Sequence, residues 1–224
     1  MIEIIKLTKG YVIISKPRGV AAQPDPSGDE DAMTLTARML SELGEKSELF
    51  PIHRLDRVVG GLLVFARDRR WAATLSELVG GKGMEKEYLA VVEGDAEGGV
   101  MRDLLYKDAK AGKAYVVSGE RRAAKPAELE YMRVASVPSE RGVRTLVRIK
   151  LHTGRFHQIR AQFSSRGMPL VGDGKYGSRD NKAKMPALFA TRLAFPVGKE
   201  RCEASILPDT DSYPWSLFDK ENYK

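Results

Sequence analysis

Short extended segments alternate along this chain with stretches whose apolar residues recur every three or four positions. The first extended segment, residues 11–15, is β-branched and stops at Pro17 and Gly19, which predicts a strand followed by a turn. The same pattern predicts further strands over residues 62–66, 86–93, 128–137, 143–153, 187–195 and 202–207. In 143–153 the residues alternate between an apolar face and a face with Arg148, Lys150 and His152, so one side should pack and the other should be wet and cationic.

Helical spacing predicts three helices. The first follows Thr34 and ends before Gly44, and its apolar residues are Leu35, Met39, Leu40 and Leu43. The second covers 69–79 with Asp68 as its cap, and the third begins near Phe156 and ends before Gly167. Residues 23–31 predict a surface loop that orders on binding. Together these elements predict an α+β fold: one domain with a mainly antiparallel mixed β-sheet flanked by helices and loops.

Composition narrows the classes of partner. The 37 Lys and Arg residues exceed the 30 Asp and Glu residues, for a net charge of +7, which favours a polyanion such as nucleic acid. Many soluble proteins are basic for solubility alone, so charge leaves this open. Cys202 is the single cysteine, and no apolar run reaches about 18 residues. With no leader recognised at the N-terminus, we expect a cytoplasmic, non-membrane protein.

The loop His53-Arg54-Leu55-Asp56-Arg57 places a carboxylate among arginines ahead of a predicted strand. Nearby positive charge favours the ionised carboxylate, so Asp56 is a candidate nucleophile or base. The alternative is an ordinary surface ion pair.

A second candidate lies where a predicted strand passes through Gly154 into a predicted helix. Such a junction exposes backbone N–H groups that suit an anion. Basic and polar side chains crowd this point: Arg155, His157, Gln158 and Arg160. The alternative is a helix start with solvated basic residues.

Five stretches, in this order, resemble the RluA-type family of RNA pseudouridine synthases, and together they span residues 11 to about 195. They are Ser15-Lys-Pro-Arg-Gly-Val20, His53-Arg-Leu-Asp56, Glu87-Tyr-Leu-Ala-Val-Val-Glu-Gly94, Thr153-Gly-Arg-Phe-His-Gln-Ile-Arg160 and Gly172-Asp-Gly-Lys-Tyr-Gly177. The resemblance implies the pseudouridine synthase fold over residues 1–224 and isomerisation of uridine in ribosomal or transfer RNA. It also implies that no cofactor or metal is used.

The family's residue roles carry over by position. The resemblance implies that Asp56 is the catalytic carboxylate, that Arg160 pairs with it, and that Tyr88 packs on the uracil and assists removal of the C5 proton. Arg54 matches a residue that fills the gap left by the everted base. Further substrate contacts are expected from His53, Arg155, His157 and Gln158. Without the resemblance, Tyr88 is equally a core aromatic and Arg160 a solvated helix residue. Whether Asp56 attacks the sugar or assists a glycal route stays open.

Two departures from the family pattern alter the surroundings of the site. Val59 and Gly60 stand where the family has Thr and Ser, and Gln162 stands in place of a histidine. We expect changed rigidity of the loop without loss of activity, and a glutamine that still forms hydrogen bonds. A catalytically impaired RNA-binding or ribosome-assembly protein on the same fold is the alternative.

Few residues precede Tyr11, so no separate N-terminal RNA-binding domain is expected, and a monomer would recognise RNA through its catalytic body. A metal or hydrolase site built from His53, His152 and His157 is disfavoured, because no HExxH-type spacing occurs.

Overall fold

The computed structural model of the protein describes residues 1–81, 83–119 and 123–223. The strands, in chain order, are β1 (Glu3–Leu7), β2 (Tyr11–Lys16), β3 (Phe50–Pro51), β4 (Gly60–Ala66), β5 (Glu85–Glu93), β6 (Gly98–Asp108), β7 (Lys113–Val117), β8 (Lys125–Ser139), β9 (Gly142–Leu151), β10 (Leu188–Val197) and β11 (Glu200–Ser205). The helices are α1 (Ala32–Glu42), α2 (Arg69–Gly80) and α3 (Gln158–Ser165). By its internal contacts the chain divides into two units, Met1–Lys86 with Ala190–Pro208, and Glu87–Phe189 with Asp209–Lys224. The expected single domain over 1–224 stays a prediction.

The first unit is built on the strand order β1-β2-β4-β10, with β3 on β4 and β11 on β10. Strand β4 is buried along its whole length, as its apolar sequence requires. Helix α2 packs Leu75 into a cluster with Tyr11, Leu62 and Phe195. This core supports the loop that joins β3 to β4, which carries Asp56.

The second unit has the strand order β5-β9-β8-β6-β7, and each of these neighbours pairs antiparallel. One apolar cluster includes Leu89, Leu146 and Trp215. A second lies where α3 packs and includes Leu105, Ala161 and Tyr176. The α+β class predicted from the sequence is confirmed.

The structure confirms most of the predicted elements, but two helices begin at other residues than predicted. Asp68 caps α2 by accepting a hydrogen bond from Trp71 N at 2.8 Å, as expected. Helix α1 begins at Ala32, earlier than predicted, because the carboxylate of Asp31 accepts hydrogen bonds from the first turn. Helix α3 begins at Gln158 because His157 adopts a left-handed backbone, with φ +52°.

Four strands were not predicted from the sequence: β1, β3, β6 and β7. The longest of them, β6, has several exposed residues and lacks a continuous apolar face, so its pattern does not stand out. The wet, cationic face predicted for β9 is confirmed at Lys150, which is exposed, but Arg148 on that face is half-buried and Leu146 is fully buried. In the described part of the chain, no helix is long and apolar enough to cross a membrane.

Candidate active site

Asp56 lies partly buried in the loop between β3 and β4. The loop is closed by a hydrogen bond in which Val59 N donates to Asp56 O at 2.9 Å. The Val59 side chain is 2% exposed, and Gly60 already belongs to β4. Main-chain hydrogen bonding and apolar packing therefore hold this loop where the family pattern has two hydroxyl side chains.

The buried ammonium of Lys16 organises the same loop. Only 1% of this residue is exposed, and its Nζ donates to Val20 O at 2.6 Å, Pro17 O at 3.0 Å and Arg57 O at 3.3 Å. Burial lowers the pKa of Lys16 to about 7, Asp56 opposes this shift, and Arg57 adds to it. Three carbonyls match the three donors of a protonated lysine. When it is protonated, Lys16 therefore places a positive charge near Asp56. Its hydrogen bond to Arg57 O also fixes the backbone next to that carboxylate.

Lys16 lies in one of the stretches that resemble the family, but no role was predicted for it. The available signal was a lysine at the end of an otherwise apolar strand, where a charge needs several acceptors to be buried.

Arg57 binds the loop of residues 23–31. Its guanidinium donates to Asp29 at 2.7 Å, to Asp25 at 2.8 Å and to the Ser27 hydroxyl at 2.6 Å. Hydrogen bonds from Ser27 and Arg57 lower the pKa of Asp25 to about 2. In the structure Arg57 thus ties this loop to the residues around Asp56, although the sequence predicted a loop that orders only on binding.

The neighbouring residues His53 and Arg54 lie in different surroundings: His53 is partly buried and Arg54 is exposed. Burial, with a smaller contribution from Lys86, lowers the pKa of His53 to about 3, so the ring is neutral at physiological pH. Its Nε2 accepts a hydrogen bond from Val64 N at 3.4 Å, which connects the loop to β4. Arg54 is exposed. The roles predicted for both residues toward RNA stay predictions.

Tyr88 and Arg160 belong to the second unit. Tyr88 lies on β5 opposite Ile149 of β9 and is 6% exposed. Arg160 lies on α3 and is 4% exposed. Its guanidinium binds Asp173 through two bonds, Nε to Oδ2 at 2.6 Å and Nη2 to Oδ1 at 2.9 Å. The expected pairing of Arg160 with Asp56 stays a prediction.

Asp173 and Tyr176 hold Arg160 from one short segment. The Arg160 guanidinium carbon lies 5.0 Å from the centre of the Tyr176 ring, a cation–π distance. Both partners come from the stretch Gly172–Gly177, for which the sequence alone indicated only a tightly turned loop. Asp173 was missed as a functional residue, and its signal was an acid between glycines in a motif shared with the family.

His157 links this arrangement to the start of α3. Its Nδ1 lies 3.0 Å from the Tyr176 hydroxyl, which also accepts a hydrogen bond from Ala114 N at 2.8 Å. A non-glycine residue in a left-handed conformation costs free energy and persists only where surrounding contacts hold it. The ring also stacks on Phe156, with centroids 3.8 Å apart.

Gln158 and Arg155 shape the turn before α3. The buried Gln158 amide oxygen accepts from the Thr153 hydroxyl at 2.8 Å and from Arg155 N at 3.0 Å, and its nitrogen donates to Glu128 O at 3.1 Å. Arg155 is exposed and donates from Nε to Pro126 O at 2.9 Å. These bonds favour a positioning role for Gln158, and its predicted contact with substrate stays untested.

Gln162 forms hydrogen bonds in place of the family's histidine, as expected. The residue is fully buried, and its amide nitrogen donates to Asp103 Oδ2 at 2.6 Å and to Met101 O at 3.3 Å. The position therefore connects α3 to β6. Among the described residues, no group of three or more His, Cys, Asp or Glu side chains is arranged to hold a metal ion.

Comparison with known proteins places these motifs in a family. Residues 10–165 match the family model described as RNA pseudouridylate synthase. A Bacillus subtilis protein named Uncharacterized RNA pseudouridine synthase YhcT is 31% identical over 81% of this chain and 60% of its own length. Haemophilus influenzae has a relative named Ribosomal large subunit pseudouridine synthase C, which is 32% identical over 81% of this chain and 55% of its own length. A second relative from that organism, named tRNA pseudouridine synthase C, is 29% identical over 86% of this chain and 83% of its own length.

The fold agrees with this match. The structure named Human RNA Pseudouridylate Synthase Domain Containing 1 superposes with a TM-score of 0.78 at 20% identity, over 96% of this chain and 86% of that one. The chain spans little more than half the length of the Bacillus subtilis relative and of the ribosomal large subunit synthase relative. The resemblance found in the sequence is confirmed, and the chain belongs to the RNA pseudouridylate synthase family.

Proposed function

We propose that this chain isomerises uridine to pseudouridine in structured RNA, with Asp56 as the catalytic carboxylate. The observation that carries the proposal is the setting of Asp56 within the retained family motif. The loop is fixed on both sides, and the buried Lys16 supplies a positive charge when it is protonated, with its pKa lowered by burial to about 7. Such a charge favours the ionised carboxylate that either route requires, attack on the sugar or assistance of a glycal path.

The reaction balances without an added reagent. The bond from uracil N1 to ribose C1′ breaks, a bond from C5 to C1′ forms, the proton on C5 leaves, and N1 gains a proton. Neither oxidation nor reduction occurs. We therefore extend the proposal to an enzyme that needs no metal or cofactor, for which dialysis against EDTA leaves the rate unchanged.

In this proposal Tyr88 packs on the uracil and assists the C5 proton, and Arg160 pairs with Asp56. The nearly complete burial of Tyr88 on β5 supports a fixed ring. The two hydrogen bonds that Arg160 donates to Asp173 support a guanidinium held in one orientation, since a planar fork bound at two points cannot rotate. Arg54, which is exposed, is available to fill the gap in the RNA.

RNA is the proposed partner, and a net charge of +7 supports binding through phosphates. Relatives are named for both ribosomal and transfer RNA, and both substrate classes are part of the proposal. We take the protein as a monomer acting in the cytoplasm. The single cysteine, which is buried and free, fits a reducing compartment.

Release of tritium from transcripts containing [5-³H]uridine tests the proposal directly, because C5 loses its hydrogen in this reaction. Unmodified ribosomal and transfer RNA transcripts serve as substrates. Asp56→Asn should lower the rate by at least about 10²-fold, the lower range for loss of an acid–base group. Asp219→Asn, an exposed acid in the second unit, should keep the wild-type rate.

Two outcomes would count against the proposal. If Asp56→Asn retains activity within tenfold of wild type, the catalytic assignment is wrong. If the wild-type chain binds these transcripts but releases no tritium, the alternative of an impaired RNA-binding protein is favoured. The apolar Val59 in place of a hydroxyl residue is the observation that makes this alternative worth testing.

A further inference from the structure

A groove of about 240 Å³ opens in the second unit beside the turn that leads into α3. It is lined by Leu105, Lys107, Ala114, Ala123, Lys125, Gly154, Arg155 and Phe156. None of these side chains is acidic, and the groove has two chemically distinct parts.

The floor of the groove is apolar and includes an aromatic ring. Leu105 and Ala114 are almost fully buried, and Phe156 is partly buried against the same cluster. The Phe156 ring stacks on His157 at 3.8 Å with an interplanar angle of 17°. His157 fixes the ring and covers one of its faces. A second planar group can therefore contact the ring edge, or the face under the Lys107 ammonium once that flexible side chain moves to a phosphate.

The rim of the groove is cationic. Lys107, Lys125 and Arg155 are all exposed. The Lys107 ammonium lies 4.7 Å from the centre of the Phe156 ring. The bond from Arg155 Nε to Pro126 O fixes the direction of that side chain. Within residues 1–81, 83–119 and 123–223, no ion pair to an acid is recorded for Lys107 or Lys125. Among these described residues, no acid therefore neutralises the two lysines.

We propose that this groove binds one nucleotide of the substrate RNA other than the target uridine, with the base against Phe156 and a phosphate on the lysines. The inference rests on the proposed function for the identity of RNA as substrate. One aromatic ring beside cationic side chains matches one base and its phosphate in an unpaired strand. An acidic protein segment would use the rim alone and would have no need of the ring.

The test uses filter binding of labelled decauridylate to the full chain over a range of salt concentrations. The variant Lys107→Ala/Lys125→Ala should lower the slope of log Kd against log salt by about 0.7, since the proposal places one phosphate on these lysines and each phosphate contact to a single strand contributes about 0.7. The matched control is Lys9→Ala/Lys199→Ala, which removes the same charge from two exposed positions of the first unit. This control should keep a slope close to that of the wild type.

A second variant tests the base contact. Phe156→Leu should weaken binding by about 5- to 150-fold, the range for loss of one stacked base, with the salt slope unchanged. Phe156→Tyr should restore binding. Since Phe156 packs against a buried cluster, thermal unfolding of each variant accompanies the binding curves.

The results separate this inference from the proposed function. Equal salt slopes for the two lysine double variants would overturn the groove as a nucleotide site, even with an active enzyme. A loss of slope specific to the groove variant, in a chain that releases no tritium, would support the site and sink the proposed function. Normal binding by Phe156→Leu with a reduced slope in the lysine variant would also overturn the proposal, because the lysines would then contact phosphate with no base held on Phe156.

Discussion

Replacing Asp173 with alanine removes the bidentate partner of a nearly buried guanidinium. Asp173 is 1% exposed and Arg160 is 4% exposed, and the two bonds between them measure 2.6 and 2.9 Å. Water has little access to replace the lost carboxylate. The charge on Arg160 persists, because a guanidinium stays protonated in proteins. The variant therefore removes two charge-assisted hydrogen bonds from a buried guanidinium.

The expected loss of stability is large. Removing one member of a buried, hydrogen-bonded ion pair costs about 3–5 kcal/mol. For a chain of this size, each kcal/mol shifts Tm by about 2–4 °C, so Tm should fall by about 6–20 °C. Adding Arg160→Met to the Asp173→Ala variant removes the buried guanidinium and should recover part of the lost stability.

Thermal and urea unfolding measure both variants against a control at the surface. Glu30→Ala breaks an equally short pair, with Arg38 at 2.5 Å, whose side chains are more than half exposed. This change should cost no more than about 1 kcal/mol. The reasoning is refuted if Asp173→Ala loses as little as Glu30→Ala, or if the double variant is no more stable than Asp173→Ala alone.

Two further predictions concern the first unit. Gly61→Ala should destabilise the chain strongly, because its φ is +116° and an added Cβ would lie 2.2 Å from Ala190 O; soluble yield and Tm measure this. Gly44→Ala, at φ +71° with open space around it, should show backbone strain alone, about 1–3 kcal/mol, and equal effects would contradict the steric argument. Burial lowers the pKa of His53 to about 3, so below pH 6.5 the unfolded chain binds a proton that the folded chain does not. Stability should therefore fall as pH drops from 6.5 toward 3, and His53→Gln should flatten this decline.

Local chemistry accounts for the elements that were predicted well. Strand β4 is a run of apolar residues, and α2 begins at an aspartate that caps it, so short-range patterns suffice. The start of α1 was misplaced because both Asp31 and Thr34 can cap a helix. In the folded chain Asp31 takes the cap, and the Thr34 hydroxyl donates to it at 2.7 Å. Strand β6 was missed because its residues pair with distant partners on β8, which no local pattern reports.

The sequence by itself determined the family, the α+β class and the candidate residues Asp56, Tyr88 and Arg160, since these depend on motifs and on periodicity within short segments. Only the tertiary structure decided what holds them. The carbonyls around Lys16 include one from Arg57, 41 residues away, and the partner of Arg160 lies on the segment after its helix. Such contacts depend on how the folded backbone returns to the same point, because a buried charge is stable only where acceptors from separate segments converge.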